Sequence, residues 1–188
     1  MDELYTIIKF IKNPFTIIFV SLFSLILLIV MLTASSSISN IIINSYFNVP
    51  FPQGTSYSIT SYFGNRIDPL NQNNSEFHNA VDLAANIDTD ILASADGIVL
   101  QYNVTEVTGE SVIIEHRFDG LVYRTTYSHM LESSVVVYIG QEIKASEKIG
   151  IIGKSGEVTG VHLHFSLQQL NPDTGEFEYI DPINIFQN

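Results

Sequence analysis

Gly153-Lys154-Ser155-Gly156-Glu157-Val158-Thr159-Gly160-Val161-His162-Leu163-His164-Phe165 is a glycine-punctuated loop that runs into a strand carrying two histidines one residue apart. Successive side chains on a strand point to opposite faces, so His162 and His164 share a face about 6–7 Å apart along it. Leu163 and Phe165 then point into a core. Gly153, Gly156 and Gly160 permit a tight loop of the kind that walls a cleft. Upstream, His78-Asn79-Ala80-Val81-Asp82 places an imidazole and a carboxylate four residues apart, a ligand pair that zinc accepts. Fully extended, that segment would separate the two α-carbons by about 13 Å, too far for one ion. A bend or bulge is therefore expected between them.

Outward from these motifs the chain reads as short β-type runs. Gly97–Tyr102, Ser111–His116, Leu121–His129, Ile149–Ile152 and Val161–Gln168 are rich in Val, Ile, Tyr and Thr, and Gly or Asp clusters separate them. Asn171-Pro172-Asp173-Thr174-Gly175 marks a turn before a last run through Phe177 and Tyr179. The expected fold is mostly β: a compact antiparallel sheet domain with an open groove, residues 57–188. His116 falls on a strand without a partner motif and is expected to be structural or at the surface. Arg66 is expected to brace the turn after Gly64. Tyr127 suits core and cleft equally.

The N-terminal part is different. From Phe15 to Leu32 there is no charge, and a helix of that length spans roughly 27 Å, close to the thickness of a bilayer's hydrocarbon. A transmembrane helix over residues 14–33 is expected, with 1–13 in the cytoplasm and a juxtamembrane spacer at 34–56 containing Pro50 and Pro52. Lys9 and Lys12 precede the apolar run and the next cation is Arg66, which places the N-terminus inside and the domain on the outer, cell-wall side of a single-pass membrane protein. A cleaved signal peptide is the rival, but its apolar core is usually only about 7–15 residues.

Among 188 residues there is no cysteine, so disulfides, thiolate zinc sites and cysteine nucleophiles are excluded. The formal charge is -12, and Asp2, Glu3, Lys9 and Lys12 cancel, so the excess lies wholly in the exported part. No nucleic-acid partner is expected, since phosphate tracking needs clustered Lys and Arg.

Several motifs occur in an order that resembles one family. Ile59-Thr60-Ser61-Tyr62-Phe63-Gly64-Asn65-Arg66 precedes the His78–Asp82 segment; Ala93-Ser94-Ala95-Asp96-Gly97-Ile98-Val99, Thr126-Tyr127-Ser128-His129-Met130, the Gly153–Phe165 stretch and Asp181-Pro182 follow. Over about residues 57–184 the chain resembles the LytM or lysostaphin-like zinc metallopeptidases, peptidase family M23, which cut peptides of bacterial peptidoglycan. The resemblance implies one zinc ion held by His78, Asp82 and His164, with His129 and His162 as unligated catalytic histidines. It leaves open which histidine does what. It also implies a peptidoglycan peptide as substrate and an endopeptidase activity. Inactive or latent members act as wall scaffolds. A blocking upstream segment (Asn40, Asn44 or Asn48) or an unknown regulatory protein partner would produce the latent form here. Two departures stand out. Ala80 replaces a usual glycine between the first two ligands, where a positive φ would be strained, and Ser146 replaces a common turn glycine.

Overall fold

The structure, a computed structural model, describes residues 18, 21–32, 34 and 46–186. The chain divides into two units, Met1–Ile42 and Ile43–Asn188. In the first, residues 21–32 are helical with exposed side chains throughout. Among the described residues no helix is long and apolar enough to cross a membrane. Residues 14–17, 19, 20 and 33 of the expected span lie outside the described residues, as do 1–13 and 35–45.

The second unit holds twelve strands among its described residues: β1 (Tyr57–Ser61), β2 (Gly64–Ile67), β3 (Ser75–His78), β4 (Val81–Ala85), β5 (Asp90–Leu92), β6 (Gly97–Thr105), β7 (Gly109–Phe118), β8 (Leu121–Met130), β9 (Glu142–Ile143), β10 (Lys148–Ile151), β11 (Leu163–Leu170) and β12 (Phe177–Ile180). A 3-10 turn at Ile183–Phe186 follows, and its first N–H, of Ile183, is capped by the Asp181 carboxylate at 2.9 Å. The principal sheet has the order β1-β4-β11-β8-β7-β6-β9, with β12 pairing β11 beyond the end of β4. All its pairings are antiparallel. Two ribbons, β2–β3 and β5–β10, complete the domain. The expected antiparallel β architecture is the one observed.

Alternation along the central strands separates core from site. Val81 and Leu83 on β4, Leu163, Phe165 and Leu167 on β11, and Tyr123 and Tyr127 on β8 are buried in one hydrophobic core. Each such side chain contributes about 1.5–3 kcal/mol by leaving water. Between them, Asp82, His164 and Ser128 stand side by side, since His164 pairs with Asp82 on one side and with Ser128 on the other. The core face thus fixes the register of the opposite face.

Described residues of the expected spacer pack on the domain. Phe47 and Phe51 are buried in the core, Asn48 N–H donates to the Ser94 carbonyl (2.7 Å) and Leu92 N–H donates to the Pro50 carbonyl (2.9 Å). Phe47 meets His116, Phe118 and Tyr123 edge-on, with ring centroids 5.3–5.7 Å apart. Residues 46–52 are therefore part of the domain. Prolines break regular structure and gave this stretch a linker's composition, but two phenylalanines bury more apolar surface than a solvated linker carries.

Ala80 lies in a bend between β3 and β4 and is wholly buried. It is not among the non-glycine residues with positive φ, so the strain expected there is absent. Ser146 does adopt the left-handed conformation that a glycine would take freely, at φ 66°.

Candidate active site

The bend expected between His78 and Asp82 is present, and it does the work that an extended segment could not. His78 ends β3 opposite Gly64, and Asp82 lies in β4 opposite Ser61. The chain turns through Asn79 and Ala80, which brings His78 Nε2 to 3.2 Å from Asp82 Oδ1. His164 Nδ1 lies 3.0 Å from the same oxygen and 3.2 Å from His78 Nε2. Three donor atoms from three strands thus form a small triangle.

His78 Nδ1–H donates to the Tyr62 carbonyl at 2.9 Å, which turns Nε2 towards the Asp82 carboxylate oxygen and the His164 ring nitrogen. Three converging donor atoms of this kind suit a metal ion. Ligands about 2.0–2.1 Å from a tetrahedral zinc ion lie about 3.3 Å from one another, close to the observed spacings, and two imidazoles with one carboxylate suit zinc. Among the described residues, His78, Asp82 and His164 form the one cluster that could hold a metal ion. His78 and Asp82 are buried and His164 half-buried.

Burial works to raise the Asp82 carboxyl, but hydrogen bonds from His164 and His78 outweigh it and hold the group below the usual carboxylate range. Asp82 Oδ2, the oxygen turned away from the triangle, accepts from Arg66 at 2.9 Å. Arg66 also donates to Ser61 Oγ (2.6 Å) and Glu76 Oε1 (2.7 Å). Its expected role as a brace for the turn is thus extended: it holds a candidate metal ligand. The signal was faint in the sequence, because Arg66 meets Asp82 only once β2 pairs with β3 and the ribbon folds back.

His129 and His162 join the same site, with ring centroids 4.9 Å apart. His129 is 5.6 Å from His164 by the same measure, and His162 Nε2 is 3.7 Å from Asp82 Oδ1. Each gives its Nδ1–H to a backbone carbonyl, His129 to Ser155 (2.9 Å) and His162 to Gly160 (3.0 Å), so in the neutral form each presents an Nε2 lone pair. Burial pushes the His129 imidazole down to about 4, which keeps it neutral at pH 7. His129 departs from strand alternation. Tyr127 points into the core, so regular geometry would send His129 there too; instead its backbone is left-handed, at φ 63°, and the ring turns to the site.

A groove of about 690 Å³ passes over these residues, with Ile67, Asp68 and Leu70 on one wall and Val107, Glu157 and Val158 on the other. The glycine-rich loop supplies that second wall, as expected. Gly156 has φ 82° and packs so closely that a β-carbon there would lie 2.4 Å from Gly109 N. Asn48 does not line the groove, and Asn40 and Asn44 lie outside the described residues. His116 is wholly buried and outside the site, and Tyr127 is core.

The family model for peptidase family M23 matches residues 76–182, from the strand that bears His78 to the closing Asp-Pro. The chain belongs to peptidase family M23. Among M23 relatives, the peptidoglycan DD-endopeptidase ShyA of Vibrio cholerae is 34% identical over 118 residues, covering 62% of this chain and 26% of ShyA. A crystal structure of a zinc containing peptidase from Vibrio cholerae matches with a TM-score of 0.61 at 30% identity, over 73% of this chain and 39% of that one. A chain of the SpoIIQ-SpoIIIAH pore forming complex matches with a TM-score of 0.59 at 25% identity, over 74% and 90%. This M23 chain spans less than a third of the length of the curated relatives it matches first, 30% and 26%.

Proposed function

We propose that this protein is a membrane-anchored zinc endopeptidase that hydrolyses peptide bonds in the stem or cross-link peptides of peptidoglycan. The observation that carries the reading is the triangle of His78 Nε2, Asp82 Oδ1 and His164 Nδ1, at 3.0–3.2 Å, with two further histidines beside it in the groove of an M23 fold. Bound zinc would supply Lewis acidity for a peptide carbonyl and lower the pKa of a water molecule to about 7. His78, Asp82 and His164 would hold it, and one carboxylate with two neutral imidazoles leaves the site at net +1, favourable to a carbonyl oxygen.

The remaining residues move protons. His129, kept neutral by burial and aimed by Ser155, accepts the proton of the attacking water at Nε2 and passes it to the leaving amine. His162, nearer the groove mouth, donates from Nε2 to the carbonyl oxygen when protonated, where negative charge develops. The groove walls exclude solvent on both sides and align an extended peptide.

The test uses the purified full chain in detergent. It is expected to bind one zinc and to release new amino termini from peptidoglycan. His162→Ala should abolish release while zinc stays bound. Metal binding without cleavage of walls of any cross-link type would instead support a latent or inactive scaffold. The likeness to a chain of the pore-forming complex is the observation that favours that second reading. Anchoring by residues 14–33, with the domain outside, rests on the uncharged run and its flanking lysines. Protease added to whole cells should destroy a C-terminal tag and spare an N-terminal one; the reverse pattern excludes this topology.

A further inference from the structure

Asp82 has two oxygens, and the structure uses them differently. Oδ1 faces His78 and His164 at 3.2 and 3.0 Å, whereas Oδ2 accepts from Arg66 at 2.9 Å. The guanidinium is not free to leave. Its Nε donates to Glu76 Oε1 at 2.7 Å, and the nitrogen that reaches Asp82 also donates to Ser61 Oγ at 2.6 Å. Ser61 and Asp82 are register partners across β1 and β4, and Arg66 and Glu76 are register partners across β2 and β3. Arg66 therefore ties the ribbon that carries His78 to the sheet that carries Asp82 and His164. The side chains concerned are only partly exposed, 23% for Arg66 and 10% for Asp82, so water competes weakly for these bonds.

We infer that Arg66 is a positioning residue that commits Asp82 to ligation through one oxygen, and so keeps a coordination place open for the reacting water and carbonyl. The inference rests on the metal-site reading above. A carboxylate with both oxygens free can chelate a metal in bidentate fashion, which fills a place that catalysis needs. A planar guanidinium with fixed donors holds one oxygen in a set direction. A lysine ammonium, a single point of charge, cannot span Ser61, Asp82 and Glu76 in the same way.

The test compares the full chain in detergent with its Arg66→Lys and Arg66→Gln variants, all stripped of metal and checked for an intact thermal unfolding transition. Zinc affinity is measured by competition with a chromophoric chelator, and coordination number by the visible absorption of the cobalt(II)-loaded protein, which is more intense at four-coordinate than at five-coordinate sites. Zinc affinity should fall by about 10–100-fold in Arg66→Gln, the usual effect of losing an outer partner of a ligand. Its cobalt absorption should fall as well, with Arg66→Lys between it and the wild type on both readings. Arg66→Gln within about twofold of wild type in affinity, with unchanged absorption, overturns the inference. Lost affinity with wild-type absorption also overturns it, since the number of Asp82 oxygens on the metal would then not depend on Arg66. If Arg66→Gln does not fold, Arg66→Lys decides: wild-type values on both readings overturn the inference. Neither reading uses peptidoglycan, so a chain that cleaves nothing can still pass. A wild-type chain that binds no zinc fails the metal reading and this inference with it.

Discussion

His116 is wholly buried, and both of its ring nitrogens are engaged. Nδ1–H donates to the Asp96 carbonyl (2.8 Å), and Nε2 accepts from the Thr125 hydroxyl (2.8 Å), whose oxygen lies 3.1 Å from the Tyr127 hydroxyl. Burial pushes this imidazole down to about 4. Between that value and about 6.5, where a histidine in the unfolded chain takes up its proton, the unfolded state binds more protons than the folded one. The stabilisation is therefore complete above about pH 6.5 and drains away as pH falls towards about 4, by roughly 3 kcal/mol in total. Urea unfolding of the metal-free chain across this range should show that loss, and His116→Gln should show a flatter dependence. Equal slopes would mean that His116 does not titrate this way. The expectation of a structural role for His116 came from its lack of a partner motif, and burial bears it out. His129 shows the limit of such reading. Its place beside His162 depends on a left-handed φ that alternation from Tyr127 does not foretell.

The glycine-rich loop acts on the site, and the N-terminal strap acts on the core. The glycine-rich loop holds His129 through the Ser155 carbonyl, and Ser155 Oγ is itself tied to the Met130 carbonyl (2.6 Å) and to Glu110 N–H (2.9 Å). Gly156 follows directly. A methyl group there meets the Gly109 backbone and must also take a positive φ, so Gly156→Ala should shift the loop and cut peptide cleavage by roughly 10–100-fold while zinc affinity stays near wild type. Parallel loss of zinc affinity would show that the loop supports the ligands and not only His129. The N-terminal strap at residues 46–52 acts on stability. Phe47→Ala empties a core position ringed by His116, Phe118 and Tyr123 and should lower unfolding free energy by about 3–5 kcal/mol. A change below about 1 kcal/mol in denaturant unfolding would mean that the strap is peripheral.

For the molecule as a whole, the proposed metal would link folding to chemistry. A ligand that binds only the folded state adds about 2.7 kcal/mol at a hundred times its dissociation constant. Chelating zinc should lower the thermal midpoint of the chain accordingly, and His78→Ala should abolish the difference; a midpoint indifferent to zinc would count against a site built from these residues. The charge of -12 lies wholly in residues 33–188; on the proposed outer side of the membrane, anionic wall polymers would repel it, and capture of substrate would rest on tethering and on the local positive site. Sequence alone determined the β class, because hydrophobic and turn periodicity are local properties. It also singled out His78, Asp82, His129, His162 and His164 as candidates, because ordered motifs carry them, and the fold brings these five together. Tertiary structure decided what depends on distant segments meeting: the approach of His164 to His78 and Asp82, the Arg66–Asp82 contact, and the strap that proline content had disguised. Those contacts join residues that lie 16 or more positions apart or turn on a single backbone angle, as at His129, and neither kind of information is written in a local pattern.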